Sequence, residues 1–113
     1  MVTVTIMKSR QTQHLLIEAS GHAGGAPAGQ NLICAAVSIL LWGFASEVAA
    51  LPPHRFAAGS RVVYGDRPGH CLVDVTCGDR FTYRHLVSAL SPMERALDKL
   101  AKEHPDSITL SRP

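Results

Sequence analysis

HLLIEASGHAGGAPAGQNLICAAVSILLWGFASEVAAL, residues 14–51, changes its hydrophobic period partway along, and that change decides the fold class. Leu15, Ile17 and Ala19 alternate with His14, Leu16 and Glu18, the period of two that a half-buried strand requires. Residues 23–30 then carry Gly24, Gly25, Gly29 and Pro27, a composition that suits a mobile loop and no regular element. From Leu32 to Ala50 the chain is apolar on nearly every face, and Asn31 in front of it has a side chain fit to cap a helix. An all-apolar helix in a soluble domain is expected to be buried on most sides, against a sheet and against a second subunit.

Working outward, Val2, Val4 and Ile6 alternate with Thr3, Thr5 and Met7, so a first strand pairs antiparallel with the second through a turn over 8–12. Pro52 and Pro53 stop the helix. Arg61 to Tyr64 and Cys71 to Val75 read as two short strands joined by a turn at Gly65-Asp66-Arg67-Pro68-Gly69. Leu86, Leu90, Met93, Leu97 and Leu100 form one stripe of a second helical region, from Thr82 to Glu103. Ser91-Pro92-Met93-Glu94 has the form of a capping box with proline at the first helical position, which predicts two abutting helices there. Ile108 and Leu110 suit a closing edge strand. The order strand, strand, helix, strand, strand, helix, strand predicts a single α+β domain over residues 1–113, with helices packed on a small antiparallel or mixed sheet.

Composition narrows the function classes. With 46% apolar and 18% charged residues the chain has the profile of a globular domain, not a disordered one. A formal charge of +2, without a run of lysine or arginine, gives no nucleic-acid footprint, so no direct nucleic-acid partner is expected. Leu32 to Leu51 has the length of a membrane span, but Glu47 lies within it and no basic anchors flank it. A buried helix is expected there, and no membrane partner. The N-terminal residues lack the pattern of a signal peptide. Cys34, Cys71 and Cys77 match no zinc spacing, so no metal is expected, and the thiols are read as reduced in the cytoplasm.

Cys34 and His22 carry the chemistry. If Asn31 caps the helix, Cys34 is its third residue, close to unsatisfied backbone N–H groups and the positive end of the helix dipole. Such a setting favours the thiolate and stabilises an oxyanion formed by its attack on a carbonyl. His22, leaving the second strand, is placed to take the thiol proton and return it to a leaving amine. The residues alone leave a second reading open, in which Cys34 is one more small buried side chain and His22 a loop histidine. Ser38, one turn beyond Cys34, either hydrogen-bonds near the site or bonds back along its own helix. Asp66 and Asp74 are candidates to orient His22, although turn and strand-surface roles suit them better. His14 and Glu18 read as a solvated strand face. His54, His70, His85 and His104 have no mutual ligand spacing. Trp42 reads as core or dimer interface.

Gly21-His22-Ala23, a glycine-rich gap, and Cys34-Ala35-Ala36-Val37-Ser38 together resemble the bacterial ribosomal-processing cysteine protease (Prp) family. The resemblance extends to the N-terminal hairpin and to the closing helix, with Ala96-Leu97-Asp98-Lys99-Leu100 running into His104-Pro105-Asp106-Ser107-Ile108. It implies a homodimeric cysteine endopeptidase that needs no cofactor and trims the N-terminal extension of large-subunit ribosomal protein twenty-seven. His22 and Cys34 match the family's catalytic pair, and Ala23, Gly24, Gly25 and Gly29 fall in its flexible loop over the site. Members usually carry aspartate where this chain has Asn31, which can still cap a helix but supplies no negative charge. A catalytically weak or inactive binding module associated with ribosome assembly is the alternative that this substitution leaves.

Overall fold

The computed structural model describes residues 1–21, 28–64 and 70–113, with side chains of the first helix described from residue 32 onward. His22, Ala23, Gly24, Gly25 and Asp66 lie outside the described residues, as does the side chain of Asn31. The strands are β1 (Val2–Ser9), β2 (His14–Ser20), β3 (Arg61–Tyr64), β4 (Cys71–Thr76) and β5 (Ile108–Ser111). The helices are α1 (Ala28–Ala49) and α2 (Arg80–Glu103), and a single 3₁₀ turn at Pro53–Arg55 follows α1. The fold is the expected α+β arrangement in the expected order.

The sheet runs β3-β4-β2-β1-β5. All neighbours are antiparallel except β1 and β5, which pair in parallel from Val2↔Ile108 to Thr5↔Ser111. Alternation along each central strand sends Val2, Val4 and Ile6, Leu15, Ile17 and Ala19, and Cys71, Val73 and Val75 to one buried face. The helices seal it. From α1 come Ile33, Val37, Leu41, Phe44, Ala45 and Val48, and from α2 Tyr83, Leu86, Leu90 and Leu97. These positions recur at three- and four-residue steps, so each helix buries one stripe. α1 is therefore not buried on most sides within one chain. Leu32, Ile39 and Trp42 are 71%, 66% and 61% exposed on its outer side. The stretch Leu32–Ala49 is long and apolar enough to cross a membrane by length and composition, with a third of it buried here. Glu47, the charge within it, bonds across to α2, where His85 Nε2 donates to its Oε1 at 2.9 Å.

Two boundaries differ from expectation. α1 begins at Ala28, so Gly29 and Asn31 lie inside the helix and neither loop nor cap. Ala28 and Gln30 are good helix formers, and the roughly 1 kcal/mol cost of Gly29 is small against the apolar stripe that follows. α2 is continuous through Pro92 instead of splitting in two. Glu94 does not turn back to cap at Ser91. It receives Lys8 at 2.7 Å and Arg112 at 3.1 Å, while Arg95 donates to the Ser91 hydroxyl at 2.8 Å. The apolar stripe on both sides of Pro92 holds the helix together across the missing N–H.

The cap of α2 is Asp79. Its Oδ1 accepts from the Thr82 backbone N–H at 2.7 Å and its Oδ2 from the Thr82 hydroxyl at 2.9 Å. The backbone N–H of Thr82, then its hydroxyl, hold the carboxyl below its usual value of 3.8. A depressed folded value means that the cap stabilises above the unfolded value and fades as pH falls through the folded one. Asp79→Ala should therefore lower the urea midpoint at neutral pH, with the gap from the parent protein closing below pH 3.8. A gap that stays constant into acid would show that the carboxylate charge is not what caps the helix.

Candidate active site

Register sets the surroundings of the candidate residues at one end of the sheet. Ala19 pairs with Cys71, and Cys71 with Tyr64, so the end of β2, the start of β4 and the end of β3 lie level across three adjacent strands. The chain leaves β2 through Ser20 and Gly21. Gly21 has φ +107°, and any Cβ there would run into the Met1 carbonyl, so only glycine fits the step that leads into His22.

The early turns of α1 lie by this end. Tyr64 donates its hydroxyl to the Ser38 carbonyl at 3.3 Å, tying the strand end to the helix one turn beyond Cys34. The rings of Tyr64 and Trp42 stand 6.5 Å apart between centroids at a 32° tilt, within the range of favourable aromatic pairs. Cys34 is half-buried against the core, and the Ser38 side chain is exposed, with no hydrogen-bond partner for its hydroxyl among the described residues. At the entry to β4, His70 is 9% exposed, and its Nε2 donates to Glu18 Oε2 at 3.0 Å.

The structure revises the sequence picture of the thiol. Because α1 starts at Ala28, Cys34 is its seventh residue and not its third. Only the first four N–H groups of a helix lack internal partners, so the unsatisfied donors invoked for Cys34 are not in its own turn. Asp74 is not free to orient His22, since His14 Nε2 donates to its Oδ1 at 2.6 Å. The Tyr64–Ser38 tie, the Trp42–Tyr64 pair and the His70–Glu18 pair join residues far apart in sequence; the only local hint was an aromatic at a strand end. Among the described residues no group of three His, Cys, Asp or Glu side chains could hold a metal.

Cys34 thus lies on a helix packed over an α+β sheet, by the end at which β2 finishes. The family model for cysteine protease Prp matches residues 1–109, and the chain belongs to that family. No curated protein matches the sequence. Among solved structures, the ribosomal processing protease Prp of S. aureus in complex with a substrate peptide is 21% identical, with TM-score 0.74 over 100% of both chains. The same enzyme with a covalently linked product peptide is 22% identical, with TM-score 0.70, again over 100% of both. SMU.848 from Streptococcus mutans is 22% identical with TM-score 0.71, covering 99% of this chain and 93% of its own. At these identities the structural likeness speaks for the fold, and the family match speaks for the chemistry.

The three thiols differ in setting. Burial pushes Cys71 up to about 11, and burial followed by the Asp79 charge raises Cys77. Cys71 and Cys77 are 5% and 3% exposed, whereas Cys34 is only half-buried. A rise from 9.0 to about 11 cuts the thiolate fraction of Cys71 about a hundredfold at neutral pH. Iodoacetamide at mildly acidic pH should therefore modify half-buried Cys34 ahead of Cys71, which is both hidden and held as the thiol, read by peptide mass mapping of the folded protein. Equal rates at all three cysteines would contradict this ranking.

Proposed function

We propose that this chain is an endopeptidase that removes the N-terminal extension of large-subunit ribosomal protein twenty-seven, with Cys34 as nucleophile and His22 as general base and acid. The observation that carries the reading is the family match over residues 1–109, together with Cys34 being the most accessible of three cysteines at the sheet end where β2 leads into His22. The substrate peptide and covalently linked product peptide of the S. aureus relatives support a peptide as substrate.

In this mechanism His22 takes the Cys34 proton as the sulfur attacks the scissile carbonyl. It then gives that proton to the departing amine as the tetrahedral intermediate collapses to a thioester. Water, deprotonated by the same imidazole, hydrolyses the thioester. With Cys34 seven residues into α1, the imidazole carries most of the activation. Ser38 supports the site with its exposed hydroxyl, and Gly29 and Asn31 belong to the helix start that carries Cys34. A homodimer is supported by the exposed Leu32, Ile39 and Trp42 beside a shallow apolar groove lined by Ala36, Leu40 and Leu100. Free thiols at all three cysteines suit the cytoplasm.

A peptide spanning the extended N-terminus of that ribosomal protein should be cut by the purified protein, with turnover falling at least about a thousandfold in Cys34→Ala. Cleavage that survives in the alanine variant would remove Cys34 from its assigned role. Asn31 favours a weakened or binding-only site, because an amide cannot supply the charge that family members usually carry. Asn31→Asp should raise kcat on the same peptide by about tenfold, the effect of one modest charge interaction. Unchanged kcat in that variant would show that the carboxylate is dispensable in this chain.

A further inference from the structure

A concave groove of about 650 Å³ lies at the hairpin end of the sheet, lined by Lys8, Arg10, Arg80, Arg84, Ser88 and Ser91 over a floor of Tyr83 and Val87. Its composition follows from two periodicities. Along β1 the buried face passes through Val2, Val4 and Ile6, and the next residue of that parity is Lys8, with Arg10 following in the turn. On α2, Arg80, Arg84, Val87, Ser88 and Ser91 recur on one face, directed to the same place. The cluster is absent from any sequence window because its halves are about seventy residues apart, so the expectation of no nucleic-acid footprint could not register it.

The charge here is uncompensated. Among the described residues the cations with no hydrogen-bond or ion-pair partner for their side chains are Arg10, Arg61, Arg80 and Arg84, and all but Arg61 line this groove. The acids of α2 are engaged elsewhere: Glu94 with Lys8 and Arg112, Asp98 with Lys102 and Arg112, Glu103 with Lys99, and Asp79 with Thr82. Arg80 and Arg84, four apart on one helix face, repel each other at a cost to the helix. Guanidinium forks and serine hydroxyls are the donors that phosphate oxygens accept from. Phe81 is 75% exposed and precedes Arg84 by three residues and Ser88 by seven, spacings that make them neighbours along the helix surface, so its ring is an aromatic plane open for a base to stack on.

We propose that this groove binds a short stretch of single-stranded nucleic acid, with Arg10, Arg80 and Arg84 on successive phosphates and a base stacked on Phe81. An acidic peptide would use the cations but would gain nothing from the exposed ring. The groove is separate from the proposed peptidase site: β2 takes six steps from His14 at the hairpin to Ser20 at the Cys34 end, roughly 20 Å at ~3.3 Å per step. The proposal therefore does not depend on which peptide the thiol cuts.

Fluorescence anisotropy of a labelled oligo(U) strand, titrated with the full chain at several salt concentrations, tests it. Three phosphate contacts at ~0.7 each predict a slope of log K against log salt of about −2, hence an affinity loss of about 20-fold between 50 and 200 mM salt. Arg84→Ala should reduce the magnitude of the slope by about 0.7. Phe81→Ala should weaken binding by about tenfold with the slope unchanged. Arg61→Ala, the unpaired cation outside the groove, should change neither quantity. Peptide cleavage should be untouched by Arg84→Ala, which shows that the variant is folded. No salt-dependent binding would overturn the proposal. So would a loss in Arg61→Ala equal to that in Arg84→Ala, which would reduce the effect to diffuse charge. Polyglutamate competing as strongly as oligo(U) would assign the groove to an acidic protein and overturn it too.

Discussion

The structure depends on closing one face of a five-stranded sheet with two helices. Strand alternation delivers an apolar row from each of β1, β2 and β4, and α1 and α2 each contribute a stripe that fills the space above. Fully burying a Val, Leu or Ile side chain contributes roughly 1.5–3 kcal/mol, and twelve of the larger side chains are almost wholly hidden, from Val4 and Ile6 to Phe44, Leu90 and Leu97. No local preference approaches that sum. It explains why α2 continues through Pro92 and why α1 tolerates Gly29. In each case a helix-breaking residue of modest cost lies next to a stripe that must face the sheet.

The same closure produces polar sites where alternation outruns the core. A strand keeps its period after the helices above it end or turn aside, so the next inward residue projects at the edge of the core. On β1 that residue is Lys8, which reaches Glu94 of α2. Among the described residues no helix covers the opposite face of the sheet, and there titratable groups pair with one another: His14 with Asp74, and His70 with Glu18. Those pairs account for acids and histidines that a sequence reading can only leave as candidates. They also remove Asp74 from the list of groups able to serve the thiol.

Sequence made local and periodic features legible. The alternation of Val2, Val4 and Ile6, the matching row in β2, and the stripe from Leu86 to Leu100 needed only a short window, and each became the predicted element. Helix starts were less legible, because they depend on a few weak preferences. Asn31 looks like a cap and Gly29 like a loop residue, yet the helix begins at Ala28, shifting Cys34 from the third to the seventh helical position. Asp79, the cap of α2, has the right residue type, and Thr82 supplies both donors, but nothing in a single window favoured it over Ser91. Contacts between distant segments were not legible at all. Tyr64 reaches Ser38 across 26 positions and Lys8 reaches Glu94 across 86, and only the strand order brings such partners together.

Moving Cys34 deeper into α1 changes what its chemistry requires. A thiol in the first turn can draw on free N–H groups and the helix dipole, both of which fade beyond that turn. One in the second turn has given up that support for a fixed position: its backbone lies inside the ladder, its side chain packs on the core, and Tyr64 pins the next turn to the sheet. A thiol so placed is held rigidly, and under the proposed mechanism its reactivity is left to the partner that takes its proton. Gly21 closes β2 at a position where no other residue fits between Met1 and the required φ. The fold therefore holds Cys34 against its core and fixes the end of β2 with one backbone contact, so both halves of the proposed pair start from rigid backbone.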